Sequence, residues 1–265
     1  MIKRSVIPAP GLGTGLSCEE RGVVKPLIKV NNIPMIEYCL SAMKLAGIKE
    51  FVFVTMSKNS SPILYGKLEE HLREKHSDLF FHFVEQDLKN DISGWAHALW
   101  LARKYIDDPV FVMFPDNIYY PKEGIKKFLD SYDGHSILVG YTKPRSLNDF
   151  ITKGVYEVDE NNNIVWAQEK PGIAKAKETW KISAGTYVIT PETIRYIEKA
   201  LREKKYDLCT REKGRNELDL VNVINYLILP DRYLVKGVEM DCEVIRIGNL
   251  DELTAAEEFF KTHKW

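Results

Sequence analysis

A doubly wound α/β sheet is what this chain of 265 residues predicts, on three observations. Through residue 120, apolar runs of strand length alternate with longer stretches of helical spacing, the order that produces parallel strands joined by right-handed crossovers. The first run empties straight into Gly11-Leu12-Gly13-Thr14-Gly15, where three glycines in five residues leave main-chain N–H groups open to an anion. Ligands of such sheets gather beyond the carboxyl ends of the strands, and Gly11 to Thr14, Gln86 and Asp116 all stand at those ends.

Each element carries its own signal. Residues 5–8 form a short buried strand. Pro34 at the start, apolar Met35, Ile36, Leu40, Met43 and Leu45, and Gly47 as a stop predict a helix over 34–47. Residues 51–55, β-branched and aromatic, read as a strand. A charged helix is expected over 61–76, a strand with alternating aromatics over 79–84, a helix over 92–104 and a fully apolar strand over 110–114. After Asp116 the texture changes, with strands expected at 137–141 and 182–189. Residues 155–158 and 164–167 flank Asp159-Glu160-Asn161-Asn162-Asn163 as a hairpin. Further helices are expected over 191–205, from Asn216-Glu217-Leu218 to near residue 229, and over 251–261. Residues 233–238 and 242–247 read as a last hairpin.

Composition narrows the function. Hydrophobic residues at 45% and charged residues at 28% are those of a globular chain able to bury a substantial core. A net charge of −1 gives no reason to expect nucleic acid or an acidic membrane as partner. No apolar run reaches the roughly 18 residues of a membrane span, and the N-terminus has no secretory pattern. Cys18, Cys39, Cys209 and Cys242 are scattered, with no C-x-x-C pair. Reduced thiols in a cytoplasmic protein are therefore expected, rather than a metal or disulfide framework.

By itself the glycine string is either an ordinary turn or a phosphate cradle. It is not G-x-x-x-x-G-K-[ST], and it lacks the third glycine of the dinucleotide fingerprint. Lys25-Pro26, a compact positive charge ten residues on, and Pro34-Met35-Ile36-Glu37-Tyr38 extend the string. Together they resemble the opening of the sugar-1-phosphate nucleotidyltransferases, the family of UTP–glucose-1-phosphate uridylyltransferase and glucose-1-phosphate thymidylyltransferase. There the loop reads G-x-G-T-R, ahead of a K-P pair and a P-M-I-x-Y helix. The order of elements resembles that family from end to end. The resemblance implies a GT-A-like, Rossmann-like mixed sheet with a sugar-binding lobe in the second half. It implies a single domain over 1–265, with a nucleotide-binding half at 1–120 and a sugar-binding half at 121–265.

The activity it implies is attack of a hexose 1-phosphate on the α-phosphorus of an NTP, giving NDP-sugar and pyrophosphate with Mg²⁺ as cofactor. The attacking phosphate is already ionised and needs no general base, so positioning and charge neutralisation do the work. Pro8-Ala9 is closest to the uridylyl branch, which points to UTP; dTTP and CTP stay open. By the same resemblance Ala9, Gly11, Leu12, Gly13 and Thr14 hold the nucleotide and Lys25 faces its phosphates. Gln86 and Gly94 read the base, the Gln amide offering both a donor and an acceptor. His97 receives no catalytic role. Asp116 has a local reading as a turn acid; in Phe114-Pro115-Asp116-Asn117 it resembles the family's G-D-N aspartate, which implies a metal ligand, with Pro115 in place of the Gly. Asn117, Gly154, Glu169, Lys170, Gly185 and Thr186 match the sugar-holding elements, Lys170 facing the sugar phosphate. The family's habit of forming dimers or tetramers makes a homo-oligomer an expected partner.

The chain departs from that pattern at three further places. Four residues, Asp87, Lys89, Asn90 and Asp91, lengthen the gap between Gln86 and Gly94. Gly15 stands where the family has its Arg. Arg246, in Ile245-Arg246-Ile247-Gly248, stands where the family has its second metal-binding Asp, with Asp241 and Glu243 out of register as substitutes. Either Arg246 reaches the triphosphate and does part of the missing work, or the chain is a degenerate relative that binds nucleotide or sugar nucleotide without turnover.

Overall fold

Residue 9 closes the first strand, β1 (Arg4–Ala9), and the glycine bend follows it into a 3-10 turn at Thr14–Leu16. The computed structural model describes residues 2–89, 92–204, 207–208, 216–228 and 235–265. Helix α1 (Met35–Leu45) starts directly after Pro34 and buries Met35, Ile36, Tyr38, Cys39, Leu40, Ala42 and Met43. Then come β2 (Glu50–Met56), α2 (Lys67–Lys75), β3 (Phe80–Gln86), α3 (Trp95–Leu101) and β4 (Val110–Met113). A short β5 (Asn117–Tyr120) and α4 (Glu123–Asp130) lead to β6 (Ile137–Thr142), β7 (Gly154–Val158), β8 (Ile164–Glu169) and β9 (Lys181–Ile189). The chain ends with α5 (Pro191–Arg202), α6 (Leu220–Ile228), β10 (Val235–Glu239), β11 (Glu243–Arg246) and α7 (Leu250–Thr262).

These elements gather into two compact units, each assembled from separate stretches of chain. One comprises Ile2–Asp91, Met113–Asp130 and Asp241–Trp265; the other comprises Ile92–Val112 and Ser131–Met240. In the first, β2 pairs in parallel with β1 on one side, Arg4↔Glu50 through Ala9↔Thr55, and with β3 on the other, Glu50↔Phe80 through Met56↔Gln86. Phe51, Val52, Phe53 and Val54 of β2 are all fully buried, the continuous apolar run expected of a parallel strand covered on both faces. Phe53 stacks on Phe83 with centroids 5.8 Å apart. α1 packs on β5 and α4, and Tyr38 donates its hydroxyl to Val30 O at 2.9 Å.

In the second unit β9 pairs antiparallel with β6 and β7, β7 with β8 antiparallel, and β10 with β6 in parallel. The hairpin expected around 159–163 is formed. Asp159 accepts from Asn161 N at 2.9 Å and from Asn163 N at 2.8 Å, which is why an Asp opens that turn. α6 lies on β8, where the Asn225 amide bonds both Ala167 N, at 2.9 Å, and Ala167 O. α5 starts with a capping box between Thr190 and Thr193 and Pro191 in its first turn, as its sequence demands.

Three expectations are corrected. Residues 233–238 and 242–247 do not pair as a hairpin. Tyr233 lies outside the described residues, while β10 runs parallel to β6 and β11 pairs antiparallel with β5, each inside a different unit. The chain passes from one unit to the other between them, so each strand pairs with a strand of its own unit. Asn216-Glu217 does not open a helix either: it forms a two-residue strand with Asp207–Leu208, and α6 begins at Leu220. Its expected end near residue 229, the end of α5 at 205, and Asn90, Asp91 and Cys209 lie outside the described residues. The helix expected over 61–76 starts only at Lys67, because Gly66 sits at φ 77. Among the described residues Cys18, Cys39 and Cys242 are free thiols, and no helix is long and apolar enough to cross a membrane.

Candidate active site

In the first unit, the loop after β1 owes its shape to two glycines. Gly11 has open space around it, so nothing covers its amide on the Cβ side. Gly13 sits at φ 67, and a Cβ there would lie 2.4 Å from Cys18 Sγ. Its carbonyl accepts Leu16 N at 2.9 Å and closes the turn over Thr14–Leu16. Lys25 opens a second 3-10 turn, Lys25–Leu27, and reaches across to Asp116, Nζ to Oδ2, at 2.6 Å. Sequence reasoning chose both residues, and the fold makes them an ion pair.

Asp116 lies one residue before β5. β5 and β11 pair so that Arg246 is opposite Asn117, and Ile247 N donates to Asp116 O at 2.8 Å. That register brings a second cation to the carboxylate. Burial pushes Asp116 up, but the Lys25 ammonium and the Arg246 guanidinium more than offset it and hold the carboxyl below its ordinary value. Arg246 Nη1 is 3.3 Å from Glu252 Oε1, and Glu252 Oε2 accepts Gly248 N at 2.5 Å. Gly15 packs on the same segment: a Cβ on it would lie 2.3 Å from Gly248 O. The position that carries Arg in the resembling family therefore has no room here for any side chain. Asn117 is buried, its amide 3.3 Å from Tyr119 Oη and its carbonyl accepting the Cys39 thiol at 3.4 Å.

A divalent cation would find one carboxylate here. Among the described residues no three His, Cys, Asp or Glu side chains converge on a common point. Asp241 is exposed and ion-paired with Lys127, and Glu243 is exposed opposite Tyr120, so neither substitutes for the residue at 246. Asp116 keeps Oδ1 clear of the Lys25 bond. That fits a magnesium ion held chiefly by substrate phosphates, with one protein carboxylate, and does not fit a paired-carboxylate site.

Gln86, the last residue of β3, is fully buried, and its carbonyl accepts Ser57 N at 3.0 Å. A pocket of about 280 Å³ opens at the carboxyl ends of β1, β2 and β3, with Ala9, Thr55, Met56, Tyr65 and Glu85 in its wall. Leu12 and Thr14 belong to the loop itself, Leu12 half-buried and Thr14 exposed.

The second unit holds the residues expected to serve the sugar. Gly154 is opposite Glu169, and a Cβ on it would lie 2.8 Å from Glu169 Oε2 and 2.6 Å from Val221 Cγ2. Lys170 adopts φ 42, in the left-handed region that costs a non-glycine residue energy, and its Nζ is 2.8 Å from Glu169 Oε1. Burial lowers the Lys170 ammonium, yet Glu169, Asp219 and Glu217 raise it above its ordinary value, so it stays charged. Gly185 lies at φ 73 where the β9–β6 register shifts between Ser183 and Tyr187. Beneath it Tyr156, Ser183 and Tyr187 join hydroxyls at 2.9 to 3.1 Å. Burial pushes the Tyr187 phenol up to about 12. Thr186 is turned elsewhere, fully buried with its hydroxyl 3.6 Å from Met240 Sδ. Gly94 sits at φ 100, and a Cβ on it would lie 2.4 Å from Leu218 O, so this glycine has a packing reason of its own. His97 is buried and stacked on Trp100.

Sequence reasoning passed over Glu252 and Asp219. Glu252 had a signal: Asn249-x-x-Glu252 is the start of a capped helix, and Asn249 Oδ1 accepts Glu252 N at 2.9 Å. Asp219 had none, since its role comes from the chain folding back on Lys170.

The sequence profile described as nucleotidyl transferase matches residues 4–217. UTP–glucose-1-phosphate uridylyltransferase of Bacillus subtilis (strain 168) is 28% identical over 224 residues, covering 75% of this chain and 74% of the relative. Its namesake from Komagataeibacter xylinus is 26% identical over 220 residues, covering 75% and 76%. Among solved structures, a putative glucose-1-phosphate thymidylyltransferase from Bacillus anthracis superposes with a TM-score of 0.78 at 19% identity, over 100% of this chain and 97% of the other. A UDP-glucose pyrophosphorylase complexed with UDP-glucose gives 0.78 at 19%, over 99% and 100%. A UTP-bound enzyme of that kind from Acinetobacter baumannii gives 0.74 at 18%, over 100% and 95%. The chain has the mixed α/β, GT-A-like fold of those structures and belongs to the nucleotidyl transferase family.

Proposed function

We propose that this chain transfers a nucleotidyl group from UTP to a hexose 1-phosphate, releasing pyrophosphate and the nucleotide sugar. One observation carries the reading: an open glycine loop whose neighbouring Lys25 is locked to Asp116, in a chain whose relatives are named for that reaction. The loop amides and Lys25 hold the triphosphate, with Ala9, Gly11, Leu12, Gly13 and Thr14 along it and Gln86 and Gly94 at the base. Glu169, Gly154, Gly185 and Asn117 orient the sugar, with Thr186 packed behind them on Met240, and Lys170, charged through Glu169 and Asp219, neutralises the sugar's phosphate. A phosphate oxygen of the sugar then forms a bond to the α-phosphorus while the bond from α-phosphorus to the bridging oxygen breaks, and pyrophosphate carries away that electron pair. Magnesium, when bound, neutralises phosphate charge, and Asp116 is the residue that would hold it. The same reading makes 1–265 one catalytic domain of a cytoplasmic enzyme, working as a homo-oligomer.

Pyrophosphate release measured with UTP, dTTP and CTP against a set of hexose 1-phosphates tests this. UTP is expected to give the highest kcat/KM, and Asp116→Asn and Lys25→Ala to lower it by about a hundredfold or more, the scale of removing one preorganised charge contact. A higher kcat/KM with dTTP or CTP changes the base. Nucleotide binding without any pyrophosphate establishes the competing reading, a non-catalytic binder, which the cation at position 246 favours.

A further inference from the structure

We infer that Arg246 is a resident phosphate ligand, a fixed cation that lets this chain grip a nucleoside triphosphate without a divalent ion; the inference rests on the nucleotide reading above. Two backbone features aim it. Arg246 is in register with Asn117, and Ile247 N on Asp116 O locks that end of β11 beside the carboxylate. A third contact runs to the loop. Arg246 Nη2 lies 2.9 Å from where a Cβ on Gly248 would sit, and Gly248 O lies 2.3 Å from where a Cβ on Gly15 would sit. Gly248 thus touches both the guanidinium and Gly15, which leaves one residue between the cation and the glycine loop.

The charges around it point the same way. Lys25 and Arg246 balance Asp116 and Glu252, two cations against two carboxylates. A carboxylate at 246 would leave one cation against three, a setting that a triphosphate enters only with a divalent ion as go-between. Among the described residues Glu252 is the ion-pair partner of Arg246, held through Nη1, and it orders a side chain that keeps 19% exposure. A guanidinium has five N–H donors in a planar fork suited to phosphate. Gly15 completes the account: with the 246–249 segment seated on the loop, a side chain at 15 is excluded, and the cation serving the loop comes from the strand instead.

Calorimetry of UTP binding in excess EDTA and then in Mg²⁺ tests this, using the full chain and Arg246→Gln, Arg246→Lys and Arg246→Asp. The parent is expected to bind UTP in EDTA, and Arg246→Gln to bind about 10- to 100-fold more weakly there, the value of one or two charge-assisted hydrogen bonds. Arg246→Lys recovers part of the loss. Arg246→Asp reverses the dependence, with no heat in EDTA, binding restored by Mg²⁺, and a Mn²⁺ signal quenched only with UTP present in electron paramagnetic resonance. Melting curves establish that each variant is folded. If Arg246→Gln is not, Arg246→Met, which keeps the stem and removes the charge, is expected to show the same loss of about 10- to 100-fold in EDTA, and binding equal to the parent's overturns the inference. A parent that binds UTP only with Mg²⁺, or an Arg246→Gln that binds as the parent does in EDTA, overturns the inference and leaves the transferase reading standing. A parent that binds no UTP in either condition overturns both.

Discussion

Gly15→Ala adds one methyl group where the structure has none to spare. The new Cβ would lie 2.3 Å from Gly248 O, more than an ångström inside the 3.4 Å at which ordinary contact begins. The atom in the way is a backbone carbonyl and cannot swing aside, so the 247–249 segment must move. Two backbone bonds ride on it, Ile247 N to Asp116 O at 2.8 Å and Gly248 N to Glu252 Oε2 at 2.5 Å. Overpacking of this kind costs about 1–3 kcal/mol, and stretching both bonds puts the expected loss in the upper part of that range, about 2–3 kcal/mol. In a chain of this size each kcal/mol lowers Tm by about 2–4 °C, so a fall of about 4–12 °C is expected. The assay is urea unfolding followed by circular dichroism, with a thermal melt beside it and UTP calorimetry on the folded variant, which is expected to bind more weakly. Gly15→Arg, which would recreate the resembling family's loop, is expected to lose more stability than Gly15→Ala and to restore nothing. A Gly15→Ala protein within 0.5 kcal/mol of its parent would refute the reasoning, because the close approach would then be easily relieved.

Other consequences can be measured separately. Lys25→Met leaves Asp116 buried beside Arg246 alone and is expected to cost about 3 kcal/mol in urea unfolding, the scale of breaking a buried pair from one side. Asp149 accepts Arg145 N at 2.8 Å and Ser146 N at 3.2 Å, and pairs with Lys153 at 2.9 Å. Burial raises its carboxyl, but those donors and Lys153 hold it below its ordinary value. A depressed folded value means stability present above about pH 4 and lost as pH falls through the folded value. Asp149→Asn should therefore cost about 1–2 kcal/mol at pH 7, with the difference from the parent shrinking towards pH 3 in a series of unfolding curves. Gly154→Ala presses on Glu169 Oε2 and Val221, so KM for the sugar phosphate is expected to rise about tenfold while KM for UTP stays within twofold, measured by pyrophosphate release.

What could be read from sequence was local. β2 announces itself by Phe51-Val52-Phe53-Val54, and α1 by Pro34 and its apolar spacing, because burial on both faces and helix phasing are written into neighbouring residues. Lys25 and Asp116 were each recognisable singly, from the loop and from the end of an apolar strand. What failed depends on which strand finds which. β5 is four residues, Asn117–Tyr120, directly behind a proline-aspartate turn, and carries no periodicity of its own; without it the antiparallel register of β11 is invisible, and so is the arrival of Arg246 at Asp116. Gly15 was read as an arginine lost, whereas its neighbour Gly248 is more than two hundred residues away in sequence and gives no local sign.

The interleaving of the two units also sets a timetable. β1, β2 and β3 are made before the other unit, yet the unit they belong to is completed only by Asp241–Trp265, which is made after it. The amide of Ile247 that steadies Asp116 is made 131 residues after it. Ile92–Val112 and Ser131–Met240 are all in hand by then. A nascent chain stalled at residue 240 would accordingly hold the early strands without β11, and the corner around Asp116 would stay unbuilt until residues 241–247 emerge.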